Sequence, residues 1–421
     1  MSTKNKIKYS SLIIIIISFL LFKFHLDFTL IKTIFIILFI IAVFILFILY
    51  QLRKRLKGAG YSEEWHDLYG DKILNIPYFN ENNQIINSFK KGGINYKYEI
   101  GEINEGKNYD KNNRNYYDLF IPYTITKRKN TFNGIFLFIH GGGWHKGKKE
   151  NISFLTKRYA KYGYITAQMN HSFLDKENKQ NTIFRILDEI TSCLENIKYQ
   201  LKKMSFDENK LELAIGGASS GAHLSLLYGY SMKNSPFPIK FLINYCGPLS
   251  FESKYWYKLG KNIPAFDNIE DIDIDNVIKD NKIVKMFGNE KLLEFMNRFI
   301  GYKYNDNELK EMMIGEKINL ENEKFKELNK IVKYCFPTNF INENSVPTLC
   351  FYGGMDSAVG ILQYFHLKKL FEKYQNKIEL VYMKNGGHLL DDYKSKEGMN
   401  AIREIHFKIL NFAKNYFTKE N

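Results

Sequence analysis

Two long uncharged runs open the chain, and the pattern then changes character. Ser11–Phe22 reads "SLIIIIISFLLF" and Thr33–Tyr50 reads "TIFIILFIIAVFILFILY". A helix needs about 20 predominantly apolar residues to span a bilayer core. The second run (about 33–50) therefore predicts a membrane helix. The first, extended to about 11–24 with Lys23 snorkelling, predicts another. Lys4, Lys6 and Lys8 precede the pair and Arg53, Lys54, Arg55 and Lys57 follow it, while the turn between holds Lys23 and Lys32 diluted by Asp27. Basic residues favour the cytoplasmic side. Residues 1–57 thus predict a transmembrane helical hairpin, a multi-pass membrane protein with its remaining chain in the cytoplasm. A cleaved signal peptide fits less well, because no A-x-A-like site follows the first run.

Residues 58–94, which include "GAGYSEEWHDLYGDK", are polar and predict a helical or irregular connector. From residue 95 to 421 the pattern is that of one α/β domain. "INYKYEIGEI" and "RNYYDLFIPY" alternate like edge strands. Short apolar runs follow at "IFLFIH", "YITAQM", "LELAIGG", "IKFLINYCG", "VPTLCFYGG" and "KIELVYMKNGG". Between and after them, "NISFLTKRYAKYG", "NTIFRILDEITSCLENIKYQLKKM", "SGAHLSLLYGYSM" and residues 360–375 and 398–417 have helical spacing. Buried strands alternating with helices predict a mostly parallel sheet covered on both faces. Residues 247–345 break the rhythm with a lysine- and acid-rich, mostly helical stretch, too long for a simple connection. They predict a helical lid inserted between two strands.

Composition changes this picture little. The chain has 421 residues, 45% of them hydrophobic, which is globular composition. The formal charge of +15 is spread along the chain rather than gathered into a stripe. Nucleic acid is therefore not an expected partner; a lysine-rich composition accounts for the charge, with a membrane surface as the partner it suits. Cys193, Cys246, Cys335 and Cys350 are scattered, which suits reduced thiols rather than a disulfide framework or zinc cluster. "DIDID" at 271–275 begins like a calcium loop, but Asn276 and Lys282 stand where Gly and Glu are required. No metal or cofactor is expected.

Chemistry enters at "GGASSGAHL". Gly217-Ala218-Ser219-Ser220-Gly221 is a G-x-S-x-G pattern that ends one predicted strand and opens one predicted helix, the setting of a nucleophile elbow. A serine hydroxyl needs a base, and the base needs an orienting carboxylate. Asp356 and His388 each lie just past a predicted strand, at the ends where open α/β sheets build their sites. Asp391 and Asp392 follow the histidine and read as solvated; His366 and His406 fall in helical patterns and read as surface residues. "HGGGW" (His140–Trp144) leaves backbone N–H groups bare after a strand, as donors to an oxyanion require. Lys146, Lys148 and Lys149 beyond it read as a solvated run, and His223 as a hydrogen-bonded structural residue. Tyr255–Tyr257 read as lid packing.

These motifs, in this order over about residues 115–413, resemble α/β-hydrolase esterases with an HGGG-type oxyanion loop. The relatives in view are the acetylesterase-like, hormone-sensitive-lipase-like and carboxylesterase-like enzymes. Membrane-anchored prenylcysteine methylesterases are also similar, sharing a hydrophobic N-terminus, "HGG-x-W" and "G-x-S-x-G-A-H". The resemblance implies an α/β-hydrolase fold and a cofactor-free serine esterase. Ser219 would be the nucleophile, His388 the base and Asp356 the acid, with Gly142, Gly143 and Ser220 as oxyanion donors. The implied substrate is a small-molecule or lipid ester, and an apolar roof of Tyr255, Trp256, Tyr257, Phe266, Phe287, Phe295 and Phe299 predicts a lipophilic one. Two alternatives stand beside it: a prolyl-oligopeptidase-like peptidase or amidase, and a non-catalytic binding protein. "NHSF" at 170–173 departs from the family by lacking its usual arginine.

Overall fold

The computed structural model describes residues 16, 33–34, 36–48, 70–77, 114–122, 134–259, 283–388 and 396–418. The chain divides into two compact units, residues 1–63 and 64–421. In the first unit residues 36–48 are helical, with Ile36, Ile40, Phe44 and Phe47 exposed. Among the described residues no helix is long and apolar enough to cross a membrane. The expected transmembrane hairpin, and the multi-pass placement built on it, is therefore not found there. Most of the first apolar run lies outside the described residues.

The second unit is built on an eight-stranded sheet: β1 (Gly70–Pro77), β2 (Tyr116–Pro122), β3 (Gly134–Ile139), β4 (Ile165–Met169), β5 (Glu212–Ala218), β6 (Ile239–Tyr245), β7 (Thr348–Gly353) and β8 (Ile378–Met383). Their spatial order is β1-β2-β4-β3-β5-β6-β7-β8. Pairing is antiparallel for β1–β2 and β2–β4 and parallel from β4 onward. This is the mostly parallel sheet that the strand–helix rhythm predicts, in the α/β-hydrolase-type arrangement that the resemblance implies. One element differs: β1 lies inside the stretch read as a connector. Its apolar residues are few, and pairing with β2, broken by a bulge between Ile73 and Ile76, recruits it as the sheet edge. "INYKYEIGEI" lies outside the described residues.

Both faces of the central strands are covered, as continuous apolar runs require. In β3, Ile135, Leu137 and Ile139 join one core while Phe136 and Phe138 join the other. Helices α1 (Ser153–Lys161) and α8 (Lys396–Tyr416) cover the phenylalanine side through Leu155, Tyr159, Ile405, Ile409 and Phe412. Helices α2 (Ile183–Lys203), α3 (Ser220–Ser231) and α7 (Leu362–Tyr374) cover the other. The insertion contributes α4 (Asn289–Phe299), α5 (Asp306–Glu311) and α6 (Glu323–Val332). Its Phe251, Trp256, Leu293, Phe299 and Phe325 belong to the same core as α2, α3 and α7.

Candidate active site

Strand β5 turns into α3 at Ser219, which holds φ 54° and ψ −122°, a conformation that L residues seldom adopt. The turn is as tight as backbones permit. A Cβ on Gly217 would come within 2.4 Å of the Gly221 carbonyl carbon, and one on Gly221 within 2.2 Å of Ile139 O. Only glycine fits two residues before and two residues after the serine. Ser220 is the first residue of α3, so its N–H has no partner within the helix.

The glycine loop read in sequence as an oxyanion loop leaves β3 beside this turn. A Cβ on Gly141 would lie 2.7 Å from Ala218 O and 3.1 Å from Ser219 Cβ, so the loop runs directly against the serine. Gly142 has φ 132°, and a Cβ there would strike Lys146 O. In a planar trans peptide the C=O and the N–H point in opposite directions. His140 Nδ1 donates to Gly141 O at 2.8 Å, which turns the Gly142 N–H the other way. The N–H groups of His145 and Lys146 donate to Gly142 O at 3.3 and 3.1 Å, which does the same for Gly143 N–H. Among the described residues neither N–H has a protein acceptor. Two donors stand ready.

His140 is itself held. Arg114, just before β2, lies 3.3 Å from His140 Nε2 through a guanidinium nitrogen, and donates to Gly147 O at 2.9 Å and to His171 O at 3.0 Å. Its guanidinium also sits 3.7 Å above the centre of the Phe173 ring. The stretch "NHSF" lacks an arginine of its own, and Arg114 reaches it from another strand. His140 stacks on His171 at 4.5 Å. Burial lowers the His140 pKa to about 4 and that of His171 well below its usual value, so both rings are neutral near pH 7.

Asp356 follows β7 and His388 follows β8. Gly354 N–H donates to Met383 O and Met355 N–H to Gly386 O, both at 2.9 Å, which ties the two loops together. Asp356 Oδ1 accepts from the N–H groups of Ala358 and Val359 at 2.7 and 2.8 Å. Its Oδ2 lies 2.8 Å from His388 Nδ1. The carboxylate is fully buried, while the imidazole is 24% exposed and open towards a reactant. Ser219 N–H donates to Tyr245 O at 2.8 Å, and the next residue, Cys246, brings its sulfur within 4.8 Å of the Asp356 and His388 ligand atoms. The ends of β5, β6, β7 and β8 thus bring the serine turn and the Asp–His pair to one edge of the sheet. Asp391, Asp392 and Phe266 lie outside the described residues.

Trp144 Nε1 donates to His223 Nδ1 at 3.2 Å, and His223 Nε2 donates to Cys335 O at 2.8 Å. His223 joins the oxyanion loop, α3 and the end of the insertion; burial lowers its pKa to about 4. The expected roof is largely a packed core. Phe299 meets Trp144 edge-on at 4.9 Å, Phe251 lies tilted 5.8 Å from it, and Trp256 lies 5.2 Å from Phe251, all buried. Phe287 and Phe295 stay half-buried. Tyr255 stacks on His366 of α7.

Three readings need correction. Lys149 is not solvated: it is 3% exposed, bonded to Asp118 at 2.9 Å, because the chain after the oxyanion loop dives under β2. His406 is not on the surface: it is buried, 2.7 Å from the Tyr159 hydroxyl. His366 is likewise half-buried. Arg114 and Arg298 carry no mark in the sequence, and Cys246 reads there only as a scattered thiol, since no motif marks residues that meet a site from other elements.

The model of the BD-FAE family matches residues 118–371. No curated protein matches the chain. Among solved structures it is similar to a truncated carbohydrate esterase from gut microbiota, at 14% identity and TM-score 0.50, covering 82% of this chain and 99% of that one. It is also similar to esterase B from Lactobacillus rhamnosis HN001, at 13% identity and TM-score 0.52, covering 87% and 93%. At such identities the likeness is one of fold. The family match runs from β2 through the elbow and the insertion to α7, and by it the chain belongs to the BD-FAE family.

Proposed function

We propose that the protein is a serine hydrolase of carboxylic esters working through an acyl-enzyme. The observation that carries this reading is the convergence of three parts at one sheet edge. They are a serine on a strained glycine-flanked turn, a histidine bonded to a buried carboxylate, and peptides turned by their own carbonyl contacts.

In this reading the Ser219 hydroxyl attacks the ester carbonyl while His388 Nε2 takes its proton. Asp356 keeps the other ring nitrogen protonated and stabilises the imidazolium. The oxyanion accepts from the N–H groups of Gly142, Gly143 and Ser220, each donor contributing about 3 kcal/mol to the barrier's lowering. His388 then protonates the departing alcohol, and water activated by the same ring releases the acid. The substrate carries an apolar acyl or alcohol group. Supporting this, the half-buried Phe287 and Phe295 extend the Trp144 ring cluster, with Phe295 6.1 Å from Trp144.

A fluorophosphonate probe should label Ser219, and Ser219→Ala should lose label and roughly 10⁴-fold or more in turnover. With p-nitrophenyl esters, kcat/KM should rise about fourfold per methylene until the pocket is full, from about 0.8 kcal/mol each. Label on another serine defeats the site assignment. Acetate as the best acyl group defeats the apolar substrate and leaves a small-ester hydrolase.

A further inference from the structure

Cys246 is the residue at this sheet edge that ester hydrolysis leaves unused. It follows β6 directly, and its N–H donates to Phe351 O of β7 at 2.9 Å. Its φ of 49° is in the left-handed region, so the backbone, and not side-chain preference, aims the thiol. The sulfur, a carboxylate oxygen of Asp356 and a ring nitrogen of His388 all lie within 4.8 Å of one another.

We propose that Cys246, Asp356 and His388 form a site for a zinc-class divalent cation that switches the hydrolase off. The inhibitory part rests on the proposed role of His388 as base. Thiolate, carboxylate and imidazole are the donor types that zinc takes, at about 2.0–2.3 Å. Tetrahedral bonds of that length set donors roughly 3.3–3.6 Å apart. The Asp356–His388 separation of 2.8 Å lies just below this, and every separation in the trio is within 4.8 Å, no more than about 1 Å above it. Small side-chain movements close the difference. The thiol gives up its weak 3.3 Å contact with Phe351 O.

The surroundings favour this cation. Ala358 and Val359 hold Asp356 by its other oxygen, leaving Oδ2 for the metal, the kind of outer contact that pre-orients a ligand. A divalent ion with one thiolate and one carboxylate is neutral overall, which removes most of the cost of burying its charge. The exposed side of His388 leaves the fourth position to water.

The inhibition follows from proton bookkeeping. The metal bonds to His388 Nδ1, so the ring proton moves to Nε2. That nitrogen can then no longer accept the proton of Ser219. The thiol proton goes to solvent, so one proton is released per ion bound. Apparent affinity should therefore rise about tenfold per pH unit while the free thiol is protonated.

The test uses the full-length chain, stripped with EDTA and titrated with ZnCl2 and CoCl2. Zinc should inhibit reversibly, more strongly at higher pH, and cobalt should give a thiolate-to-metal charge-transfer band. Cys246→Ser should lose that band and need about tenfold more zinc or greater for half-inhibition, with its zinc-free rate kept. Cys246→Gly, which suits the left-handed backbone, should behave alike and guards against misfolding of the serine variant. Unchanged zinc sensitivity in both variants, or a cobalt band that survives them, overturns the site. A Cys246-dependent band with hydrolysis untouched overturns the switch, and His388 as base with it. The same band in a protein with no ester hydrolysis sinks the proposed function and leaves the site standing.

Discussion

Arg298, on α4 of the insertion, places a guanidinium nitrogen 3.4 Å from the carbonyl oxygen of Gly143 and 3.1 Å from His145 Nδ1. Glu294, one turn earlier, binds its other terminal nitrogen at 3.0 Å. The insertion thus reaches the oxyanion loop by a polar contact as well as through the Trp144–Phe299 ring pair. Gly143 O belongs to the peptide after the Gly143 N–H proposed as a donor, so a guanidinium there steadies the loop from outside.

Arg298→Met should therefore lower kcat about 10- to 100-fold, the scale of a misplacement of about 1 Å in a catalytic group. KM should change little, and Arg298→Lys should recover part of the rate. A rise in KM alone, with kcat unchanged, would assign Arg298 to substrate binding and not to positioning.

The strain at Ser219 gives a separate prediction about stability. Both Ser219→Ala and Ser219→Gly remove the hydroxyl and should be inactive. Only glycine tolerates φ 54° and ψ −122° without cost. Ser219→Gly should thus be more stable than Ser219→Ala by about 1 kcal/mol or more, read by chemical denaturation. Equal stabilities would mean that the turn stores no strain.

Lys149 and Asp118 predict a non-additive pair. Asp118 is bonded to Gln168 at 2.8 Å as well as to Lys149, and both ionic partners are buried. Lys149→Met leaves a buried carboxylate without its cation and should cost roughly 3–5 kcal/mol. Adding Asp118→Leu should restore much of that loss. A double variant as unstable as the sum of the singles would show that Lys149 and Asp118 do not couple, and that neither the ion pair nor a carboxylate left without its cation carries the effect.

How far the molecule was legible in its sequence depends on the kind of interaction. Strands β3 to β7 announce themselves because each is largely buried on both faces and must be mostly apolar; β8, at the sheet edge, is half-buried but keeps a short apolar run. Ser219, Asp356 and His388 stand out because a turn, a strand end and a glycine-flanked loop each leave a local mark. β1 left none, since "GDKILNIP" becomes a strand only by pairing with β2. Lys149 and His406 look like surface residues because a polar side chain is satisfied by a partner far along the chain, Asp118 in one case and Tyr159 in the other. Cys246 meets His388 across 142 positions for the same reason: the sheet brings together what spacing cannot.

Buried histidines should set the acid limit of the fold. Burial lowers the pKa values of His140 and His223 to about 4, from the ordinary imidazole value of about 6.5. Their protons are bound by the unfolded chain first, so the folded state is favoured fully above about pH 6.5. That advantage is lost progressively as pH falls through about 4, and amounts to a few kcal/mol for each ring. The melting temperature should be nearly flat from about pH 8 to 6.5 and fall steeply below it. His223→Gln has no group to titrate, can still accept from Trp144 or donate to Cys335 O, and should make the fall shallower while lowering stability at neutral pH. If the acid slope of His223→Gln equals that of the wild type, His223 is not among the groups that set the limit, and His140 with His171 must carry it.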